Sequence, residues 1–172
     1  EKTLEFIQTF LRQYQEGGQL PVWELAANYT GCMIGYHSIP VIVDAYVKGI
    51  TGFDTKLALE AMIHSANQDH LGLKNYKENG YISASDEPES VSKTLEYAYD
   101  DWCIAEFAKQ IGEDSVASIF YQRAQNYKNL FDPTTNFFRA KNAYSWFSPF
   151  KPEEVNFNYT EANAWQYSLF VP

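Results

Sequence analysis

The chain has 172 residues, which suits one domain or part of a larger one, and its 45% aliphatic and aromatic content is enough for a packed core. A formal net charge of −9 repels phosphate backbones and anionic lipid, which argues against nucleic acid and membrane-surface partners. The longest apolar run, Ile39 to Val43, is interrupted by Pro40 and is far too short to span a membrane, and the pair Cys32 and Cys103 makes neither a disulfide framework nor a zinc site.

Leu4, Ile7, Phe10, Leu11 and Tyr14 recur at spacings of three and four, so 2–16 is predicted as an amphipathic helix ending at Gly17-Gly18. A loop is expected from Gln19 to about Tyr36. Ser38 is a candidate cap for a helix that carries Pro40 in its first turn and runs to Lys48, with an apolar face packed on the following helix. Asp54 or Thr55 caps the next helix, which fades near Asp69. Residues 70–88 are polar, contain Gly72, Gly80 and Pro88, and read as a long loop. Ser90 opens a strong helix through Val91, Leu95, Tyr99, Trp102, Cys103 and Phe107, stopped by Gly112. Another is expected over 113–131, broken by Asp132-Pro133. Residues 132–157 have no helical period, and a last helix is expected from about Thr160.

About six helices without convincing strand pairs predict an all-α chain. Alternating short and long connections suggest antiparallel helical hairpins forming part of an (α/α)6 toroid, which needs roughly twice as many helices for closure. The whole of 1–172 then reads as a single segment of an incomplete barrel. The chain opens on Glu1-Lys2-Thr3 without Met and is expected to be an excised segment, so a missing export signal says nothing about location. Aromatic residues reach 17%, a content that fits both bulky helix packing and the ring platforms of carbohydrate sites.

Three stretches carry a resemblance. The first is Leu20-Pro-Val-Trp-Glu-Leu-Ala-Ala-Asn-Tyr-Thr-Gly-Cys-Met-Ile-Gly-Tyr-His-Ser-Ile-Pro-Val-Ile-Val-Asp-Ala-Tyr-Val-Lys-Gly49. The second is Ser92-Lys-Thr-Leu-Glu-Tyr-Ala-Tyr-Asp-Asp-Trp-Cys-Ile-Ala105, and the third is Tyr159-Thr-Glu-Ala-Asn-Ala-Trp-Gln-Tyr167. In order and spacing they resemble glycoside hydrolase family 92 over nearly the whole chain. The resemblance implies a calcium-dependent, inverting, exo-acting α-mannosidase that hydrolyses terminal α-linked mannose of N-glycans or mannan. It implies a bacterial protein, periplasmic, cell-surface or secreted. Its partners are then a mannose-containing glycan, an N-terminal β-sandwich domain and the remaining barrel helices. The family's upstream Trp-Asp-Thr motif and its downstream calcium and general-base motifs do not occur in these residues. No metal ligand is therefore expected within this chain, and the segment alone is expected to be inactive. A competing reading is a toroid module that grips a glycan or a protein without catalysis.

Within the third motif, the resemblance makes Glu161 the general acid. Desolvation among Tyr159, Trp165 and Tyr167 is the expected means of keeping it protonated. Read from the residues alone, Asn158-Tyr-Thr-Glu161 fits a helix capping box. Trp165 is expected to share a helical face with Glu161 and to line the same pocket; Gln166 is a substrate contact or a capping partner. Trp23 is a sugar platform or a packing residue, and His37 touches sugar hydroxyls or bonds within its loop. Asp100 and Asp101 are adjacent, so on a helix they point about 100° apart and make no poised dyad. They read as partly buried structural acids. Asn28-Tyr-Thr30 and Asn158-Tyr-Thr160 match the N-glycosylation sequon by coincidence, and His64 and His70 read as surface residues.

Overall fold

A computed structural model describes residues 2–172. In chain order the elements are α1 (Lys2–Gly17), β1 (Glu24–Leu25), β2 (Asn28–Tyr29), α2 (Ser38–Val47), α3 (Thr55–Ala66), α4 (Leu73–Asn79), α5 (Ser90–Gln110), α6 (Asp114–Arg123), a 3-10 segment (Ala124–Leu130), β3 (Phe131–Asp132), β4 (Phe137–Phe138) and α7 (Ala164–Tyr167). The all-α expectation holds: the strands are two residues long and pair only as β1–β2 and β3–β4 hairpins. The chain divides into two compact units. One comprises Glu1–Gln68 and Asp100–Tyr121, and the other comprises Asp69–Tyr99 and Gln122–Pro172. Residues 90–99 of α5 belong to the second unit, and its remainder belongs to the first.

In the first unit, α1 packs on α2 and α3 through a stripe whose buried members are Ile7 and Leu11. The nearer neighbour of α2 is thus α1, not the following helix. Asp54 caps α3 as expected, its carboxylate accepting from Lys56 N and Leu57 N at 3.0 Å. Ser38 does not cap α2. His37 stands at the N-cap without a side-chain bond, Ser38 is the first helical residue, and its buried Oγ has no hydrogen-bond partner. From α5 comes Phe107, edge-on to Tyr46 at 5.0 Å and stacked on Phe53 at 6.5 Å. Inside the expected 19–36 loop lies the β1–β2 hairpin, turned on Ala26 and Ala27, both at positive φ. Such turns favour Asn-Gly, so an Ala-Ala pair carries no strand signal.

Three expectations for the chain beyond residue 69 change. The 70–88 loop contains α4, whose ends are the left-handed glycines Gly72 and Gly80. Glycine at both ends of a seven-residue helix reads as loop from sequence. The helix persists because Leu73 and Tyr76 are buried and Tyr76 Oη donates to Arg123 O at 3.1 Å. The expected helix over 113–131 is α-helical only to Arg123 and tightens into the 3-10 segment beyond it. The last helix starts at Ala164, not Thr160, and is four residues long. The core of the second unit joins Val91 and Leu95 of α5 to Leu130, Phe138, Tyr159 and Ala164, with Phe137, Phe147, Phe150 and Tyr167 packed against them. Four aromatics of the periodless stretch, Phe137, Phe138, Phe147 and Phe150, thus serve the core, while Tyr144 and Phe157 are exposed.

Candidate functional site

The Glu161 segment lies wholly in the second unit. Its chain is stitched to the start of α5: Glu89 N donates to Phe157 O at 2.6 Å, Val91 N to Asn158 O at 3.1 Å, and Thr160 N to Ser92 Oγ at 2.9 Å. A helix start leaves its first backbone N–H groups unpaired, and here a strand-like segment partly satisfies them. Tyr159 sinks into the core and donates its hydroxyl to Phe138 O at 2.6 Å; burial pushes its phenol pKa up, against the lowering effect of Arg139. Glu161 then turns outward. Its φ of +50° lies in the left-handed region, and its side chain is exposed. Ala162 and Ala164 return to the core.

Three expectations about this motif change. Glu161 is not in a helix, so the capping box Asn158–Glu161 is not formed. The capping box lies downstream: Asn163 N donates to Gln166 Oε1 at 3.0 Å, and Gln166 N donates to Asn163 Oδ1 at 3.2 Å. Trp165 does not share a helical face with Glu161, which lies outside α7. Trp165 is 59% exposed and meets Phe137 edge-on at 4.7 Å. Tyr159 and Tyr167 form a tilted pair at 6.1 Å within the core and do not wedge Glu161 between them, so desolvation by these rings is not what this segment supplies. Glu161 sits on a turn and Trp165 and Gln166 on the four-residue α7, while Tyr159 lies in the core.

Trp23 and His37 lie in the first unit. They share a cavity of about 400 Å³ with Phe10, Glu24, Ser38 and Val41. The His37 ring is fixed from two sides. Its Nδ1 lies 2.9 Å from Oδ1 of Asp100, and its imidazole sits so close over Gly35 that a Cβ there would clash with Nε2. Asp100 and Asp101 are fully buried, where the sequence suggested partial burial. Asp100 Oδ2 accepts the Tyr36 N–H at 2.8 Å, and Asp101 Oδ1 accepts the Tyr36 hydroxyl at 2.8 Å. Adjacent acids diverge on a helix, and here both reach the same Tyr36-His37 dipeptide. His64 and His70 are exposed, as expected.

Sequence reasoning passed over Ser92, which is fully buried. The only signal available was a serine in the first turn of a strong helix, and serines there usually serve the helix itself. Among the described residues no three His, Cys, Asp or Glu side chains gather where they would hold a metal ion. No described helix is long and apolar enough to cross a membrane.

The glycosyl hydrolase family 92 catalytic domain matches residues 1–172. Among solved structures, a family GH92 α-mannosidase of Bacteroides thetaiotaomicron is 40% identical with a TM-score of 0.94, over 100% of this chain and 24% of that one. A family GH92 inverting mannosidase of Bacteroides thetaiotaomicron VPI-5482 is 38% identical with a TM-score of 0.90, over 96% of this chain and 24% of that one. An uncharacterized secreted glycosidase of Arthroderma benhamiae is 32% identical over 138 residues, which is 70% of this chain and 18% of the relative. This chain thus spans about a quarter or less of the length of the proteins it matches. With the all-α fold matched end to end and the Glu161 segment inside the matched residues, the chain belongs to glycosyl hydrolase family 92, as part of its catalytic domain.

Proposed function

We propose that this chain is part of an inverting, exo-acting α-mannosidase that removes terminal α-linked mannose from glycans, with Glu161 as its general acid. The observation that carries the reading is the 40% identity to an α-mannosidase over the whole chain at a TM-score of 0.94. An exposed carboxyl on an outward turn suits a group that must meet a substrate oxygen. In the reaction, the Glu161 carboxyl gives its proton to the glycosidic oxygen as the C1–O bond breaks. A water activated by a second carboxylate attacks C1 from the opposite face. Inverting enzymes hold the two carboxyls about 6.5–9.5 Å apart to make room for that water. The family resemblance assigns the general base to residues outside this chain.

Trp23, Trp165, His37 and Gln166 are the proposed sugar contacts of this chain. The faces of Trp23 and Trp165 are large and partly open, as stacking on a pyranose requires. The calcium implied by the family resemblance is proposed to take its ligands from residues outside this chain. Secretion or a cell-surface location is part of the same reading, and a relative named as a secreted glycosidase supports it.

The test uses the enzyme that contains this chain. Glu161→Gln keeps shape but has no proton to give, so turnover of an ordinary mannoside falls by about 10²–10⁴-fold. A dinitrophenyl mannoside, whose leaving group departs without protonation, recovers most of that rate. Equal loss on both substrates in a folded variant removes Glu161 from the acid role. The 172-residue chain by itself, without a base, releases no mannose; calcium-dependent release by the isolated chain refutes that division of labour.

A further inference from the structure

The strain at Glu161 is held from both sides. Non-glycine residues avoid the left-handed region because Cβ crowds the carbonyl oxygen, and such residues persist only where the surroundings over-determine them. Downstream, Ala162 and Ala164 are 7% and 0% exposed, sunk in the core. Upstream, the peptide N–H of Thr160 has one partner, the hydroxyl of Ser92 at 2.9 Å. Ser92 is wholly buried, lies 68 residues away in sequence, and sits on a helix whose residues from Ser90 to Ala98 are all buried. On the same helix, Glu96 Oε1 accepts the Tyr167 hydroxyl at 2.7 Å. Burial pushes the Tyr167 phenol pKa up, and the Ser92 hydroxyl works against that. One serine thus ties the residue before Glu161 to a buried helix, and Glu96 on that helix holds the end of α7.

We propose that Ser92 is the positioning residue for Glu161: its Oγ pins the Thr160 peptide against α5 and so holds the strained turn that projects the carboxyl outward. This rests on Glu161 being the general acid. Chain entropy alone would let the turn relax, since an exposed glutamate gains nothing from a left-handed φ. With Ser92 in place, the carboxyl arrives preorganised. Proton transfer depends steeply on placement, and a shift of about 1 Å costs on the order of 10²-fold.

The experiment uses the enzyme that contains this chain and compares Ser92→Ala, Ser92→Thr, Glu161→Gln and the Ser92→Ala/Glu161→Gln double variant. Each is assayed on an ordinary mannoside and on dinitrophenyl mannoside. Ser92→Ala is expected to lower kcat on the ordinary substrate by about 10- to 100-fold with KM unchanged, and to leave the dinitrophenyl substrate unaffected. Ser92→Thr, which keeps the oxygen, retains activity. In the Glu161→Gln background, Ser92→Ala adds no further loss, because the two residues act through one proton transfer. Equal loss on both substrates, additive losses in the double variant, or loss of cooperative unfolding in Ser92→Ala overturns the proposal. If Glu161→Gln itself turns over the ordinary mannoside normally, it is the general-acid reading that fails, whatever Ser92→Ala does.

Discussion

Two acids show how differently one chain uses a carboxylate. Asp100, in the first unit, is fully buried; one oxygen accepts from Tyr36 N and the other is hydrogen-bonded with His37 Nδ1. Glu161, in the second unit, is exposed on a left-handed turn. Burying a charge is costly unless hydrogen bonds replace the lost water. An acid so compensated has its oxygens spent on holding Tyr36 and His37, and its worth is structural. An acid held outward on strained backbone costs stability and keeps its oxygens for something else.

The largest effects separate the two. Glu161→Gln lowers turnover by about 10²–10⁴-fold with unchanged thermal melting. For Asp100→Ala the melting temperature falls instead, because the buried Tyr36 N–H loses its acceptor at about 1–3 kcal/mol, a loss read by thermal unfolding of the 172-residue chain. A stable Asp100→Ala variant erases the distinction drawn here.

Glycine sharpens the contrast with opposite signs. At position 161, Glu161→Gly relieves the left-handed strain and raises stability by about 1 kcal/mol while removing the acid. At position 100, within α5, Asp100→Gly lowers stability by at least about 1 kcal/mol from helix propensity alone. Thermal unfolding of the two variants side by side gives the answer.

The smallest effect concerns Asp132, a third acid, also fully buried. Burial pushes its pKa up. The hydroxyl and backbone N–H of Thr134, together with the Arg139 guanidinium at 2.9 Å, more than offset this and leave it below the usual 3.8. A lowered folded pKa favours the charged form in the folded chain. Its stabilising contribution is therefore present above 3.8 and lost as pH falls below that value toward the lowered one. The melting-temperature gap between the wild type and Asp132→Asn should narrow over that acidic window; a gap constant down to pH 2.5 refutes the assignment.

Local patterns were legible from the residues alone. The stripe of Ile7 and Leu11 in α1, the Asp54 cap of α3 and the span of α5 from Ser90 all follow from spacings of three or four residues and from cap chemistry, which act within a few positions along the chain. So did the motif around Glu161, because sequence similarity needs no coordinates. What tertiary structure alone decided lies at long range. The glycine-bounded α4 exists because Tyr76 is buried and reaches Arg123, 47 residues on. Asp100 and Asp101 became structural acids because Tyr36 stands 64 and 65 residues before them. The peptide before Glu161 is bonded to Ser92, 68 residues before Thr160. Helical periodicity pointed the other way there, toward an earlier helix start and a capping box at the acid. Spacing along the chain records which face a side chain takes on its own element; it does not record which distant group will meet that side chain once the core closes.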